Sequence, residues 1–330
     1  MSDFLRRARK AATVLLVPLL VLAACGSDDE SPEPARTITS SPASPEPEPD
    51  PGTDDGAAET DAEDADPGPY PGVPVRPPEL PDDPAGVVER LVEAERTLRD
   101  AATPDAEAAD AAHVAQYAYR VLAAEPDWDA EVATLVPEEL ALSVEANVGA
   151  RRELRGMHTH LIETLPAWRI VDPVDFDELM DHYLAAEEAY GVPWEYLASI
   201  HLVETAIGRV DGVSVAGAQG PMQFMPGTWD AFGEGDVHDH GDAIMAAARY
   251  LNHSGAPDDM TSALFSYNRH YNYVRAIQHY ASVIREDPAA FRGYYHWQVY
   301  VLTVEGDVVM PVGYDEDERI PVEDHLDQLN

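Results

Sequence analysis

From Gly26 to Pro84 the chain carries 15 prolines, 17 acidic and 2 basic residues, and almost no large apolar side chain. Such a stretch cannot bury enough surface to offset the entropy lost on ordering it, so a fold has to be built from the residues C-terminal to it. Prolines and like charges keep the stretch extended, which suits a tether between an anchor and a folded body. The rest of the charge is also uneven: +3 over residues 1–25, −15 over 26–84 and −29 over 85–330, within a total of −41. A body this acidic repels phosphate backbones, which excludes nucleic acid as a partner. A hydrated, soluble surface is the ordinary account of the acidity.

The first residues have the layout of an export signal. Arg6, Arg7, Arg9 and Lys10 are followed by an apolar run from Ala11 to Val21, too short to span a bilayer comfortably. The run ends in Leu22-Ala23-Ala24-Cys25, which resembles the bacterial lipobox. That resemblance implies cleavage before Cys25 and lipidation of its thiol. The expected product is anchored to the outer face of the cell membrane without spanning it. Cys25 is the sole cysteine, so an intrachain disulfide is excluded. A monomer is expected.

Beyond the tether the periodicity is helical. Val87, Val88, Leu91, Val92 and Leu98 recur at helical spacing, a second run covers 106–124, and a third helix is expected from Glu138 to Leu165. Nothing in this stretch is chemically pointed. His158 and His160 lie two apart, on different sides of a helix, so no metal is expected there. Further helices are expected from Asp175 or Asp177 to Tyr190, from Pro193 to Gly208, and over 226–232, 242–252, 258–267 and 272–285. Alternating apolar residues from Trp297, a turn at Glu305-Gly306-Asp307 and the run to Val312 read as a β-hairpin. The expected division is a signal at 1–25, a tether at 26–84, a helical extension at 85–172, a catalytic domain at 173–291 and a hairpin with tail at 292–330. The fold class is mainly α.

Within the helix expected to end at Gly208, Glu204 has Ile200 and Ile207 one turn away. Desolvation beside apolar surface disfavours an ionised carboxylate, and an acid still protonated near neutral pH is what a leaving glycosidic oxygen needs. Taken alone, the same placement describes an ordinary Glu on the edge of an amphipathic helix. The next segment adds Gly212, Gly217 and Gly220, which permit close backbone approach, and Gln223, which offers a donor and an acceptor to sugar groups. Met222, Phe224, Met225 and Trp229 supply apolar surface for a sugar face, or core.

Three pieces occur in order: Glu204-Thr205; then Ser214, Gly217-Ala218, Gly220, Met222-Gln223, Met225-Pro226 and Thr228; then Ser266-Tyr267-Asn268. Together they resemble the signature of soluble-type lytic transglycosylases over about Pro173 to Phe291. The resemblance implies a lysozyme-like helical fold and cleavage of peptidoglycan between N-acetylmuramic acid and N-acetylglucosamine. Glu204 then stands as single acid and base, closing a 1,6-anhydro ring. Thr205, Ser214, Met222, Gln223, Tyr267 and Asn268 take cleft positions, Tyr267 matches the tyrosine near the acid, and no cofactor is expected. Departures from the pattern are Thr205 for Ser, Pro221 for Leu, and Arg269-His270-Tyr271-Asn272 for small residues. Two other readings stand beside it. In a goose-lysozyme-like hydrolase a second carboxylate, Asp211 being nearest in sequence, activates water. A non-catalytic wall-binding lipoprotein is the other. The run Asp236-Val237-His238-Asp239-His240-Gly241-Asp242 suggests a metal at first sight, but a helix cap at Asp242 is the expectation.

Overall fold

The computed structural model describes residues 76–158 and 160–329. The export signal, Cys25 and the tether up to residue 75 lie outside them. Asp83 opens the first helix, α1 (Pro84–Arg99), by accepting a hydrogen bond from Gly86 N at 3.0 Å. Pro84 occupies the first turn, where a missing N–H costs nothing. Helices α2 (Asp105–Ala124), α3 (Asp129–Leu135) and α4 (Ala141–Arg155) complete an N-terminal layer. The helix expected to reach Leu165 ends at Arg155. Residues from Ile162 onward join a different structure, in which β1 (Thr164–Leu165) and β2 (Arg169–Ile170) are strands.

Then come α5 (Phe176–Tyr190), α6 (Trp194–Thr205), β3 (Val210–Asp211), α7 (Pro226–Phe232), α8 (His240–His253), α9 (Met260–Tyr267), α10 (Tyr271–Glu286) and α11 (Ala290–His296). Asp175 caps α5 through Asp177 N and Glu178 N, and Gly191 closes it with a left-handed φ of 69°. Asp239, not Asp242, caps α8, while the Asp242 carboxylate accepts from Asp236 N at 2.9 Å. Helix α6 is buried nearly all round, which is the pattern of a helix at the centre of a body. Helices α5, α8 and α10 pack against it, and α10 also packs against α4.

The C-terminal segment forms β4 (Val299–Thr303), β5 (Gly306–Met310), β6 (Ile320–Pro321) and α12 (Val322–Gln328). Strands β4 and β5 form the expected hairpin, with Val301 opposite Val308. No sequence pattern foretells that β6 pairs with β1 and that β2 pairs with β3. These pairings enclose a second core of Ile162, Trp168, Ile170, Val210, Met310 and Tyr314, distinct from the main helical core. Val210, six residues after Glu204, carries the chain from the first core into the second. No helix among the described residues is long and apolar enough to cross a membrane.

Candidate active site

Helix α6 stops one residue after Glu204. Ala206 and Ile207 both take left-handed conformations, φ 52° and 61°, so Ile207 is not the helical neighbour its spacing suggests. A β-branched residue there is costly and persists only where its surroundings hold it. The surroundings are Thr205, whose Oγ1 accepts from Gly208 N at 3.0 Å and donates to Pro221 O at 2.6 Å. Thr205 thereby joins the end of the helix to the glycine-rich segment. Its hydroxyl is buried and serves the backbone.

That segment is a tight turn. Gln219 and Phe224 exchange backbone hydrogen bonds of 2.9 and 2.8 Å, and Gly220 (φ 71°) sits so close to Val237 O that a Cβ would lie 1.9 Å from it. Gln223 is left-handed at φ 50°, with its side-chain amide donating to Gly220 O at 3.0 Å and Gly212 O at 3.3 Å. Ser214 Oγ accepts from Ala218 N at 2.9 Å. Tyr267, at the last turn of α9, donates its hydroxyl to Met222 O at 2.7 Å. Asn268 comes next and is buried. The turn is thus stapled to α6 by Thr205 and to α9 by Tyr267.

The Glu204 carboxyl has no exposed surface. Burial pushes its pKa up to about 8, against the opposing pull of one hydrogen bond. The donor of that bond is Tyr273, whose hydroxyl lies 2.8 Å from Oε1. Oε2 is buried and has no hydrogen-bond partner among the described residues. A protonated, half-satisfied carboxyl is an acid poised to give its proton to something that arrives. Burial raises the Tyr267 pKa and the nearby Glu204 adds to it, but the Tyr267 hydroxyl is turned to Met222 O. The tyrosine that meets the acid is Tyr273.

Tyr273 lies six residues beyond Tyr267 of the Ser-Tyr-Asn motif and is inconspicuous in the sequence because it sits in an ordinary amphipathic helix. With Ile277, Tyr280, Ala281 and Ile284 it forms the buried face of α10. A tyrosine on such a face has to bring its hydroxyl to a buried partner, and that is the available signal. Asp211, the nearest second carboxylate in sequence, pairs with Arg169 across the β2–β3 strands and remains partly exposed. Burial, and against it Tyr273, move Glu204, and no carboxylate among the described residues contributes. Among the described residues no group of three or more His, Cys, Asp or Glu side chains is arranged to hold a metal ion.

The sequence model of the transglycosylase SLT domain matches residues 181–282, from within α5 to within α10. That span contains Glu204, the glycine-rich turn, Tyr267 and Tyr273. No curated protein and no solved structure matches the chain.

Proposed function

The chain is a member of the transglycosylase SLT family, glycosidic-bond lyases that act on peptidoglycan, and from that premise we propose that Glu204 works alone as acid and then base. The observation that carries this is a fully buried carboxyl with a pKa of about 8, held at one oxygen by Tyr273 and, among the described residues, unpaired at the other. Protonated Glu204 gives its proton to the oxygen bridging N-acetylmuramic acid and N-acetylglucosamine. The bond from that oxygen to the muramic C1 breaks as the positive charge develops there. The resulting carboxylate takes the proton of the muramic C6 hydroxyl, whose oxygen bonds to C1 and closes the 1,6-anhydro ring. The acid regains its proton, so each turnover balances without water.

Ser214, Met222, Gln223, Tyr267 and Asn268 shape the cleft wall, and Thr205, next to the acid on α6, braces it. Most of their polar atoms bind backbone, so they hold the turn in place for the sugar. Because Glu204 has no exposed surface, a strand reaches it only when the covering side chains give way. Upstream, Cys25 carries the lipid anchor and the acidic tether spans the distance to the wall.

Replacing Glu204 by Gln is expected to reduce turnover of peptidoglycan by about 10³-fold or more while strand binding persists. Mass spectrometry of the parent's products is expected to find muramic ends lighter by one water than hydrolysed ends. Hydrolysed ends would instead favour the lysozyme-like reaction, and an active Glu204→Gln variant would remove Glu204 from the chemistry. Cys25→Ser is expected to abolish incorporation of radiolabelled lipid and to shift the protein from the membrane fraction to the soluble fraction; unchanged labelling would refute the anchor.

A further inference from the structure

A cavity of about 130 Å³ lies where the last turn of α6 meets the β4–β5 hairpin and helices α2 and α4. Its wall carries Arg120, Arg151 and Arg155 but one acid, Asp307. His158 also lines it and stays neutral, since burial and the nearby arginines bring its pKa down to about 4. In a chain of net charge −41 this is a local excess of positive charge, and it lies inside a concavity.

The charges are not equivalent. Arg120 is committed: its Nε donates to Asp307 Oδ2 at 2.9 Å, and its guanidinium stacks 4.5 Å over the Tyr300 ring. Arg151 makes no direct ion pair with a carboxylate among the described residues: its hydrogen bond goes to Tyr280, and Asp307, already held by Arg120, acts on it only through space. Burial and the charge of Arg120 lower its pKa to about 10, which leaves it protonated in any physiological medium. Arg155 stands exposed at the rim, also without an ion pair among the described residues. Three guanidiniums here share the single counter-charge of Asp307, which leaves positive charge in excess in a partly desolvated place, whereas the planar fork of an arginine matches a further carboxylate bidentately. The space corresponds to on the order of ten water molecules, the scale of a carboxylate with a few attached carbons.

The position supplies the occupant. Val203 and Ala206, on either side of Glu204, line the same cavity. A muramic residue cut at Glu204 bears a peptide on its lactyl group, so the carboxylates of that peptide are covalently kept near the bond being broken. We propose that the Arg151 cavity is a subsite for a carboxylate of the stem peptide of the strand held at Glu204. The assignment rests on the transglycosylase reading and extends it to the peptide portion of the substrate. The cavity then acts as a specificity device: it rewards strands that carry peptides and gives nothing to bare glycan.

The test compares the full-length protein on peptide-bearing strands and on strands stripped of peptide by an amidase. The ratio of the two kcat/KM values is expected to fall about tenfold in Arg151→Gln, mainly through KM, and about threefold in the surface variant Arg155→Gln, which does not threaten the fold. Unaltered ratios in both variants would overturn the proposal. The free dipeptide acetyl-alanyl-alanine forms a second arm. If Arg151→Gln loses binding of the dipeptide but keeps the strand ratio, the cavity serves free carboxylates and the stem-peptide assignment falls. Should the parent cleave neither strand, the transglycosylase reading fails separately. Calorimetric binding of peptide-bearing strands to Glu204→Gln then decides about the cavity, with Kd expected to rise about tenfold on adding Arg151→Gln and an unmoved Kd refuting it.

Discussion

The hydrogen bond from Tyr273 to Glu204 pulls against burial, and its removal has a definite sign. A donor to the carboxylate favours the ionised form, so Tyr273→Phe is expected to raise the Glu204 pKa further. The alkaline limb of kcat/KM, set near pH 8 in the parent by loss of the acid's proton, should move upward. The rate itself should fall roughly 10- to 100-fold, as for loss of a group that positions a general acid. A rate loss with an unshifted limb would mean that Tyr273 only packs. Glu204 is legible in the sequence because a carboxylate among apolar residues stands out. Its partner lies 69 positions away on a helix whose periodicity is ordinary, and no local pattern joins the two.

At the scale of elements, the site depends on a turn that only glycine can make. Gly220 combines φ 71° with Val237 O at 1.9 Å from any added Cβ, and Val237 O is backbone that cannot swing aside. Gly220→Ala is therefore expected to destabilise the protein by about 2 kcal/mol or more and to cut activity further than the melting shift alone explains, because Met222 and Gln223 lie directly beyond it. Thermal melting and assay at a temperature where the variant is fully folded separate the two effects; normal activity there would show that the turn tolerates displacement. The motif itself is readable, since glycines at such spacing imply special backbone. Its bracing is not: Thr205 reads as a cleft hydroxyl but is spent on Pro221 O and Gly208 N. The end of α6 also comes earlier than its apolar pattern suggests, because Ala206 and Ile207 are good apolar continuations and only the tertiary bracing bends them out of the helix.

For the whole molecule, buried titratable groups set opposing slopes of stability with pH. His113, His158 and His296 have pKa values lowered to about 4 by burial, and His201 is pushed well below its ordinary value. Below the unfolded value of 6.5 the unfolded chain binds more protons, so this contribution is lost as pH falls from 6.5 toward 4. Glu204 has the opposite sign: between its ordinary 4.5 and about 8 only the folded form holds the proton, so its contribution is lost as pH rises through that window. Each group changes stability by at most about 1.4 kcal/mol per pH unit, and by less for the half-buried His158 and His296, and the histidines outnumber the acid. Urea midpoints measured from about pH 4.5 to 8.5 are expected to peak near roughly 6.5 to 7, and Glu204→Gln should flatten the decline above the peak. A monotonic profile, or an identical alkaline slope in the variant, would contradict this balance.

Local signals alone are enough for several features: a helix capped by Asp175 and closed by Gly191, a hairpin near the C-terminal end, and an acid followed by a glycine-rich Met-Gln turn. Each rests on interactions between residues a few positions apart, which composition and periodicity encode directly. The tertiary structure decided the rest. It joined β1 to β6 across 155 positions and built a second core from both ends of the folded part. It sealed Glu204 from solvent, chose Tyr273 over Tyr267 as its donor, and gathered Arg120, Arg151 and Arg155 around a cavity that Val203 and Ala206 also line. Desolvation and burial of charge are properties of how distant segments close over a point, and that closure exists only in the folded chain.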